Sequence, residues 1–250
     1  MSYKENPKTQ GSGIKCCIPQ SQKCPLGCKD CFFQNGRSYL EPLTENLPNI
    51  PTPEEGIVYR INDGNDSSVN IAKVIKVAGQ FPMKFYNTSL TVGLDDFDAP
   101  VVLTLNPRQM LNEDFYKCAH EKLMFVRILT NTWNFRGVVK EAIMWYAERE
   151  IPIVLTFMAY HKESSIPEHH RQHYVKRGRT VNDYWCIRNA SYRHIMKQCK
   201  LTNYAKWISS CSEEGIETHC QFCGNCLRLY FRKIEEMKVA KNNKLGVKND

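Results

Sequence analysis

Three cysteines, Cys24, Cys28 and Cys31, lie close together in the sequence at the spacing C-x3-C-x2-C. Thiolates are the usual ligands of iron–sulfur clusters, and most structural clusters take four of them. A structural zinc site is also closed by four ligands, commonly as two separate pairs of cysteines. Three thiolates on one short loop therefore predict an iron–sulfur cluster with one iron that has no protein ligand, where chemistry can take place. A zinc knuckle or a set of reduced thiols is the alternative interpretation.

A second group of cysteines lies nearer the C-terminal end, at the spacing C-x8-C-x2-C-x2-C. Its members are Cys211, Cys220, Cys223 and Cys226. Four thiolates are a complete ligand set for a metal centre. The C-x2-C-x2-C part is similar to the core of ferredoxin-type binding loops, whereas zinc sites more often use paired C-x2-C units. We therefore predict a second [4Fe-4S] cluster at this group, with zinc as the main alternative.

The elements that must position these cysteines are apolar runs of strand length, which alternate with segments of helical period. Strands are predicted at about residues 14–19, 57–61, 83–87, 100–105, 123–129 and 151–157. Helices are predicted at 69–77, 112–122 and 136–149, and the last has apolar residues at i, i+3, i+4 and i+7. This order is typical of βαβ units and a parallel sheet, whose functional groups lie at the carboxyl ends of the strands.

Polar side chains suited to a charged small molecule follow three of these strands. The turn after the second strand contains Asn62, Asp63, Gly64 and Asn65, and carboxylate, amide and a tight backbone turn suit an ammonium group. Hydroxyl and amide groups suited to a ribose or a carboxylate follow the third and fifth strands, at Asn87, Thr88, Thr130 and Asn131. The competing interpretation is an ordinary turn that caps a helix through Asp66 or Ser67, because helix N-caps select the same residue types.

The cysteine triad after a first strand, ahead of a series of strands and helices, resembles the radical S-adenosylmethionine superfamily. The resemblance implies that Cys24, Cys28 and Cys31 hold a [4Fe-4S] cluster and that S-adenosylmethionine binds at its open iron. It also implies that the amino group of this cofactor meets the turn at residues 63–65, which is similar to the Gly-Gly-Glu turn of the family. The fold implied is α/β, a partial (β/α)6 TIM-like barrel, here with a small C-terminal cysteine-rich metal-binding module.

The function implied by the resemblance is radical chemistry. The reduced cluster would give one electron to S-adenosylmethionine, and the resulting 5′-deoxyadenosyl radical would take a hydrogen atom from a substrate. The cysteines are ligands, no catalytic acid or base is assigned, and an external one-electron donor such as flavodoxin or ferredoxin is expected. Some members carry an auxiliary cluster near the C-terminus, as predicted for the second cysteine group.

The sequence leaves alternatives open for the substrate and for the class of function. A peptide, a nucleotide or nucleic acid, and a small metabolite are all compatible with the sequence as substrates. The alternative function is a non-catalytic zinc protein that binds nucleic acid or a protein partner. The basic residues near the C-terminal end favour polyanionic partners, and a solvated helix face explains them equally well.

Composition limits the compartment. The chain has 250 residues, a formal charge of +8 and 12 cysteines. Its N-terminus lacks the apolar segment of a signal peptide, and no run approaches the ~20 apolar residues of a membrane span. Cysteines in such a chain indicate a reducing compartment, so we expect a cytoplasmic protein with no membrane partner. The oligomeric state is not indicated.

The sequence divides into four expected segments. Residues 1–13 are predicted to be a disordered leader, and residues 14–180 the barrel core, including the cluster loop at 24–31. Residues 181–237 are predicted to form a helical and cysteine-rich module, followed by a basic tail at 238–250. The end of the core is expected to be a solvated, basic lid or insertion rich in histidine. Its histidines are His161, His169, His170 and His173.

Overall fold

The computed structural model describes residues 2–28, 31, 33, 38–106, 117–132, 135–178, 183–200, 203–211 and 220–246. The strands in these ranges are β1 (Ile14–Cys17), β2 (Val58–Ile61), β3 (Lys84–Thr88), β4 (Val101–Leu105), β5 (Leu123–Thr130), β6 (Ile153–Phe157), β7 (Tyr174–Arg177), β8 (Tyr184–Ile187) and β9 (Ile208–Ser210). Seven of them form one sheet in the order β1-β2-β3-β4-β5-β6-β9, and β7 pairs with β8.

The predicted α/β class is confirmed, and the six predicted strands correspond to β1 to β6. Neighbours run parallel in the pairs β1–β2, β2–β3, β5–β6 and β6–β9. Within the described residues the sheet begins at β1 and ends at β9, and it is not closed into a barrel. The seventh strand, β9, pairs with β6 from Ile153↔Ile208 onward. Its sequence, Ile-Ser-Ser, contains no apolar run, which is why hydrophobic patterning does not predict it.

The helices are α1 (Leu43–Asn46), α2 (Ile71–Ala78), α3 (Lys140–Glu148), α4 (Asn189–Lys200), α5 (Cys220–Cys223) and α6 (Asn225–Gly246). The predicted helix at 69–77 corresponds to α2, which buries Val74 and Ala78, four residues apart on one face. The predicted helix at 136–149 corresponds to α3 and to a π-helical segment that precedes it, Phe135–Val139.

The remaining predicted helix, at 112–122, lies largely outside the described residues. Its last part, from 117 to 122, is described and is not helical. Among the helices in the described ranges, none has both the length and the apolar composition needed to cross a bilayer.

The chain forms two compact units. The first comprises Met1–Val102, His120–Met124 and Gly224–Asp250, and the second comprises Leu103–Ala119 and Phe125–Cys223. In the first unit the core contains stacked rings of Tyr59 and Phe81, whose centroids lie 3.9 Å apart. In the second unit, Tyr192 of α4 packs edge-on against Phe157 of β6 at 5.1 Å, so that α4 lies against the sheet.

The N-terminal segment was expected to be disordered, and in the structure residues 2–13 are part of the first unit, with turns at residues 7–13. Thr9 and Ser12 are buried. The Tyr3 hydroxyl donates a hydrogen bond to the carbonyl oxygen of Cys16 at 3.1 Å. The contacts are mostly polar, and hydrophobic patterning therefore gives no sign that this segment is ordered.

The C-terminal segments also differ from the expected division. Residues after 180 contribute β9 to the sheet, and α6 continues through the expected boundary at 237 as far as Gly246. Neither glycine nor proline interrupts this helix before Gly246. Ion pairs one turn apart support its exposed side, for example Arg232 with Glu236 at 2.8 Å and Lys238 with Glu235 at 2.7 Å.

The expected insertion after β6 contains the antiparallel hairpin of β7 and β8, which lies in the second unit. Tyr174 and Ile187 pair at its base, and both are buried. Tyr160, just after β6, exchanges two backbone hydrogen bonds with Trp185 of β8, at 2.8 and 2.6 Å. The hairpin is therefore anchored beside the carboxyl end of β6.

Candidate cofactor site

The cysteine loop, residues 24–31, follows β1 in the first unit. Cys24 and Cys31 are partly buried and Cys28 is exposed. Gly27 has a φ of +58°, a left-handed conformation that glycine adopts without steric cost, and it allows the chain to turn between the first two cysteines. The Cys31 amide donates to the Cys28 carbonyl at 3.1 Å. The Cys31 side chain packs against a buried apolar cluster formed by Ile18, Phe33, Leu40, Leu43 and Leu47.

Cys28 and Cys31 lie near enough to Cys24 to contribute to a shift in its pKa. The pKa of Cys24 is raised to about 11, mainly by burial and further by the nearby Asp66, Cys28 and Cys31, although a backbone hydrogen bond at Leu26 lowers it. Without a metal the neutral thiol is favoured, whereas a thiol that ligates a metal loses its proton. In the part of the chain that the structure describes, no three His, Cys, Asp or Glu side chains are gathered as a metal-binding group.

The turn after β2 is fixed against the cysteine loop by a ring contact. A Cβ added to Gly64 would lie 2.1 Å from Cδ2 and 2.5 Å from Cε2 of Phe33, which is buried two residues after Cys31. Only glycine allows the ring to approach the backbone this closely. The Asn65 amide group donates to the Gln22 carbonyl at 3.0 Å, and this contact links the same turn to the chain just before Cys24.

Gln20 provides another link between these loops. It is buried, and its side-chain amide group donates to the carbonyl oxygens of Asp66 and Val69 at 2.9 and 3.1 Å. The segment between β1 and the first cysteine is thus tied to the segment between β2 and α2. Hydrogen bonds therefore join the described parts of the first two loops of the first unit.

Two buried acceptor atoms of the turn lack a hydrogen-bond donor within the described residues. Asp63 is 8% exposed, and its Oδ2 accepts from the Asn6 side-chain amide at 2.7 Å while no N–H or O–H donor of the described residues reaches its Oδ1. The buried Cys16 thiol also hydrogen-bonds to this carboxylate. Asn62 is 1% exposed, and its amide group donates to Ser67 at 3.2 Å while its Oδ1 has no partner. A buried carboxylate oxygen without a donor is costly. An ammonium group, which has three N–H donors, would satisfy such acceptors.

Asn87 and Thr88, the last two residues of β3, take part in a network that joins the end of this strand to Asp66. One oxygen of the buried Asp66 carboxylate accepts from the Thr88 hydroxyl at 2.8 Å and from the Ser68 amide at 3.0 Å. The other accepts from the amide and the hydroxyl of Ser89, at 2.7 and 2.8 Å. The Asn87 side chain donates to the Ile61 carbonyl at 3.0 Å. In this structure both predicted residues therefore hold the end of β3 to β2 and the turn after it.

The other predicted pair, Thr130 and Asn131, lies at the carboxyl end of β5 in the second unit, and both residues are buried. The Thr130 hydroxyl is 3.5 Å from the Asn131 carbonyl oxygen. The Asn131 amide group donates to the Tyr160 hydroxyl at 3.4 Å and lies 3.7 Å from the Met158 sulfur. These contacts join the ends of β5 and β6.

A histidine-containing turn lies next to this pair. The Thr132 hydroxyl is 3.0 Å from Nδ1 of His170, which belongs to a 3-10 helix at Glu168–His173. The pKa of His170 is lowered, first by burial and then by the neighbouring His169 and His173. At neutral pH the Thr132 hydroxyl therefore contacts an uncharged His170 ring.

The C-terminal cysteines lie around two helices. Cys211 directly follows β9 and is exposed, and its amide donates to the Leu155 carbonyl at 2.8 Å. Cys220 and Cys223 stand at the two ends of α5, three residues apart, on one side of a single helical turn. Gly224, with a φ of +63°, separates α5 from α6. Cys226 lies in the first turn of α6 and is partly buried.

Asn6, Gln20 and Phe33 were not predicted from the sequence, although each one fixes part of the site. Their partners Asp63, Asp66 and Gly64 are more than thirty residues away along the chain. Of these three residues, only Phe33 could have been noticed in the sequence, because it is an aromatic residue two positions after the cysteine triad.

Comparison of the chain with models of protein families, with curated proteins and with solved structures finds no match.

Proposed function

We propose that this protein is a radical S-adenosylmethionine enzyme with its cofactors at the cysteine loop and the turn after β2. The observation that carries the proposal is the attachment of a three-cysteine loop to a turn with two buried acceptor oxygens, to which the described residues offer no N–H or O–H donor. Phe33 packs on Gly64 to fix the attachment, and Oδ1 of Asn62 and Asp63 are the acceptors. The donor set fits the cofactors, because thiols suit iron–sulfur clusters and carboxylate and amide oxygens suit an ammonium group.

Each residue has a defined task in this proposal. Cys24, Cys28 and Cys31 would hold a [4Fe-4S] cluster as thiolates, and Asp63 with Asn62 would accept hydrogen bonds from the amino group of S-adenosylmethionine. Bound together, these cofactors would supply radical chemistry: one electron from an external donor such as flavodoxin or ferredoxin would break the sulfonium carbon–sulfur bond, leaving methionine and a 5′-deoxyadenosyl radical. The protein binds and orients the cofactor and keeps water away from the reacting atoms.

The second cysteine group is proposed to hold another metal centre. Cys220 and Cys223 lie on one side of a helical turn, which suits two ligands of a single site. Cys211 and Cys226 complete the ligand set that the sequence spacing predicts. Four thiolates bind either an iron–sulfur cluster or zinc, and metal analysis of the purified chain separates the two.

The test is anaerobic reconstitution with iron and sulfide, reduction with dithionite, and measurement of 5′-deoxyadenosine formed from S-adenosylmethionine. The wild-type protein should form it, and Cys28→Ala should not. Cys118→Ala, which removes a partly buried thiol outside both cysteine groups, is the matched control and should keep the activity. A chain that takes up no iron and binds zinc stoichiometrically would overturn the proposal in favour of a non-catalytic zinc protein.

A further inference from the structure

The basic charge of the chain is concentrated in the segment after β6. Residues 158–211 contain ten of the 34 Lys and Arg residues and only three of the 26 Asp and Glu residues. The rest of the chain is therefore nearly neutral, with 24 basic and 23 acidic residues. This segment forms the β7–β8 hairpin, α4 and β9 in the second unit. A local excess of positive charge of this size favours polyanionic partners.

Aromatic side chains stand directly opposite basic ones at the free end of the hairpin. In the register of β7 and β8, Lys176 pairs with Trp185 and Arg177 pairs with Tyr184. Because alternate residues of a strand point to opposite faces, each face of this end carries one cation and one ring. Lys176 Nζ lies 5.7 Å from the centroid of the Trp185 ring. We name these four residues the hairpin surface.

The hairpin surface is accessible to solvent, and the opposite end of the hairpin is buried. Lys176 is exposed and forms an ion pair with the exposed Asp183, which a phosphate would replace, and Arg177, Tyr184 and Trp185 are partly exposed. At the other end of the hairpin Tyr174 is buried, and its ring packs edge-on against Tyr160 at 5.3 Å.

The position of the hairpin is that of a ligand-binding element. Tyr160 pairs with Trp185 through the backbone and with Asn131 through its hydroxyl, so the hairpin adjoins the carboxyl ends of β5 and β6. Ligands of open parallel α/β sheets bind outside the carboxyl ends of the strands. A cation and an aromatic ring side by side match the two repeating parts of a nucleic acid strand, the phosphate and the base.

We propose that the hairpin surface binds single-stranded nucleic acid. Aromatic rings favour single strands, because bases that are not paired in a duplex are free to stack on them. That the bound strand is also the substrate rests on the proposed function, whereas binding itself requires no cluster.

The experiment measures fluorescence anisotropy of labelled oligonucleotides of about 20 nucleotides, as single-stranded RNA, single-stranded DNA and duplex DNA, over a range of salt concentrations. The full-length protein should bind the single strands more tightly than the duplex. The double variant Lys176→Ala/Arg177→Ala should bind at least about tenfold more weakly. In a plot of the logarithm of the binding constant against the logarithm of the salt concentration, the slope should become shallower by roughly 1 to 1.5. Each lost phosphate contact accounts for about 0.7 of this slope.

A second variant tests stacking without changing the charge. Tyr184→Leu should weaken binding of single strands about five- to hundredfold, the range found for one aromatic platform, with an unchanged salt slope. The matched control is Lys238→Ala/Lys241→Ala, which removes two exposed lysines from α6 and should leave binding within about twofold. Circular dichroism should show that every variant remains folded.

The results separate this inference from the proposed function. Full-length Cys28→Ala should bind the oligonucleotides like the wild type, because the cysteine loop is not part of the hairpin surface. Protein that binds single strands without forming 5′-deoxyadenosine would keep this inference and lose the proposed function. The inference would be overturned if the protein bound duplex DNA as tightly as single strands. It would also be overturned if the α6 control lost as much affinity as the hairpin variants, or if both hairpin variants bound like the wild type.

Discussion

The Phe33 ring lies against the backbone of Gly64, so closely that a Cβ at position 64 would stand 2.1 Å from the ring. The two residues belong to different loops, after β1 and after β2, and both loops carry predicted cofactor ligands. Their contact sets the spacing between the cysteine loop and the turn with Asp63.

Gly64→Ala should therefore destabilise the protein, because neither the buried ring nor the backbone can move aside without strain. We expect the free energy of unfolding to fall by about 1–3 kcal/mol, as in other overpacked sites, measured by urea denaturation. Replacing Phe33 by Leu in the same chain should recover part of the loss, which a double-mutant cycle reports as coupling. Gly79→Ala, at a helical position, should change the stability by less than about 1 kcal/mol. Equal effects of the two glycine variants would contradict the prediction.

Asp66→Asn should also be destabilising. Each carboxylate oxygen of Asp66 accepts a backbone N–H, from Ser68 or from Ser89, so either orientation of an amide places its NH2 group against a donor. We expect a loss of about 2–4 kcal/mol in the free energy of unfolding, measured by urea denaturation. Asp183→Asn, an exposed partner of Lys176, should stay within about 1 kcal/mol. If Asp66→Asn unfolded at the same urea concentration as the wild type, the hydrogen bonds of the Asp66 carboxylate would not be needed for stability.

Asp63→Asn should weaken the binding of S-adenosylmethionine more than it affects folding, because it removes the negative charge that is proposed to meet the ammonium group. We expect the Kd for S-adenosylmethionine to rise by about tenfold or more, because a hydrogen bond between charged groups usually contributes this much binding free energy. Equilibrium dialysis with the reconstituted protein measures it. Asp98→Asn is the control, since this carboxylate binds Tyr86 and Lys84 in the same unit. Equal affinity of the wild type and the Asp63 variant would exclude this role.

The turn that contains His170 should make stability depend on pH. Burial and the neighbouring His169 and His173 lower the pKa of His170 in the folded state, so the unfolded chain binds more protons as the pH falls below about 6.5. The folded state should therefore lose stability between this pH and the lowered pKa, and the loss should be complete below it. Urea midpoints at pH 7.5 and 5.5 should differ less in His170→Gln than in the wild type. An identical difference in both proteins would assign the pH dependence to other groups.

Local patterns were sufficient to predict some features of this protein. Strands such as β5 and β6 consist mostly of buried apolar residues, and α2 has the spacing of an amphipathic helix, so hydrophobic patterning located them. The cysteine groups were recognised because their members are close in the sequence. The contact of Asn6 with Asp63 spans 57 residues, and no local pattern specifies such a pair. The same holds for β9, whose short sequence becomes a strand only through its pairing with β6.

The last helix of the chain packs against its first strands. Leu227 lies 3.4 Å from the place of a Cβ on Gly13, and the ring of the buried Tyr230 lies 6.2 Å from that of Phe85 on β3. During synthesis the chain emerges from its N-terminal end, so the first unit cannot complete its core until α6 has left the ribosome. Ribosome-bound chains that stop before Leu227 should therefore expose the apolar surface that α6 covers.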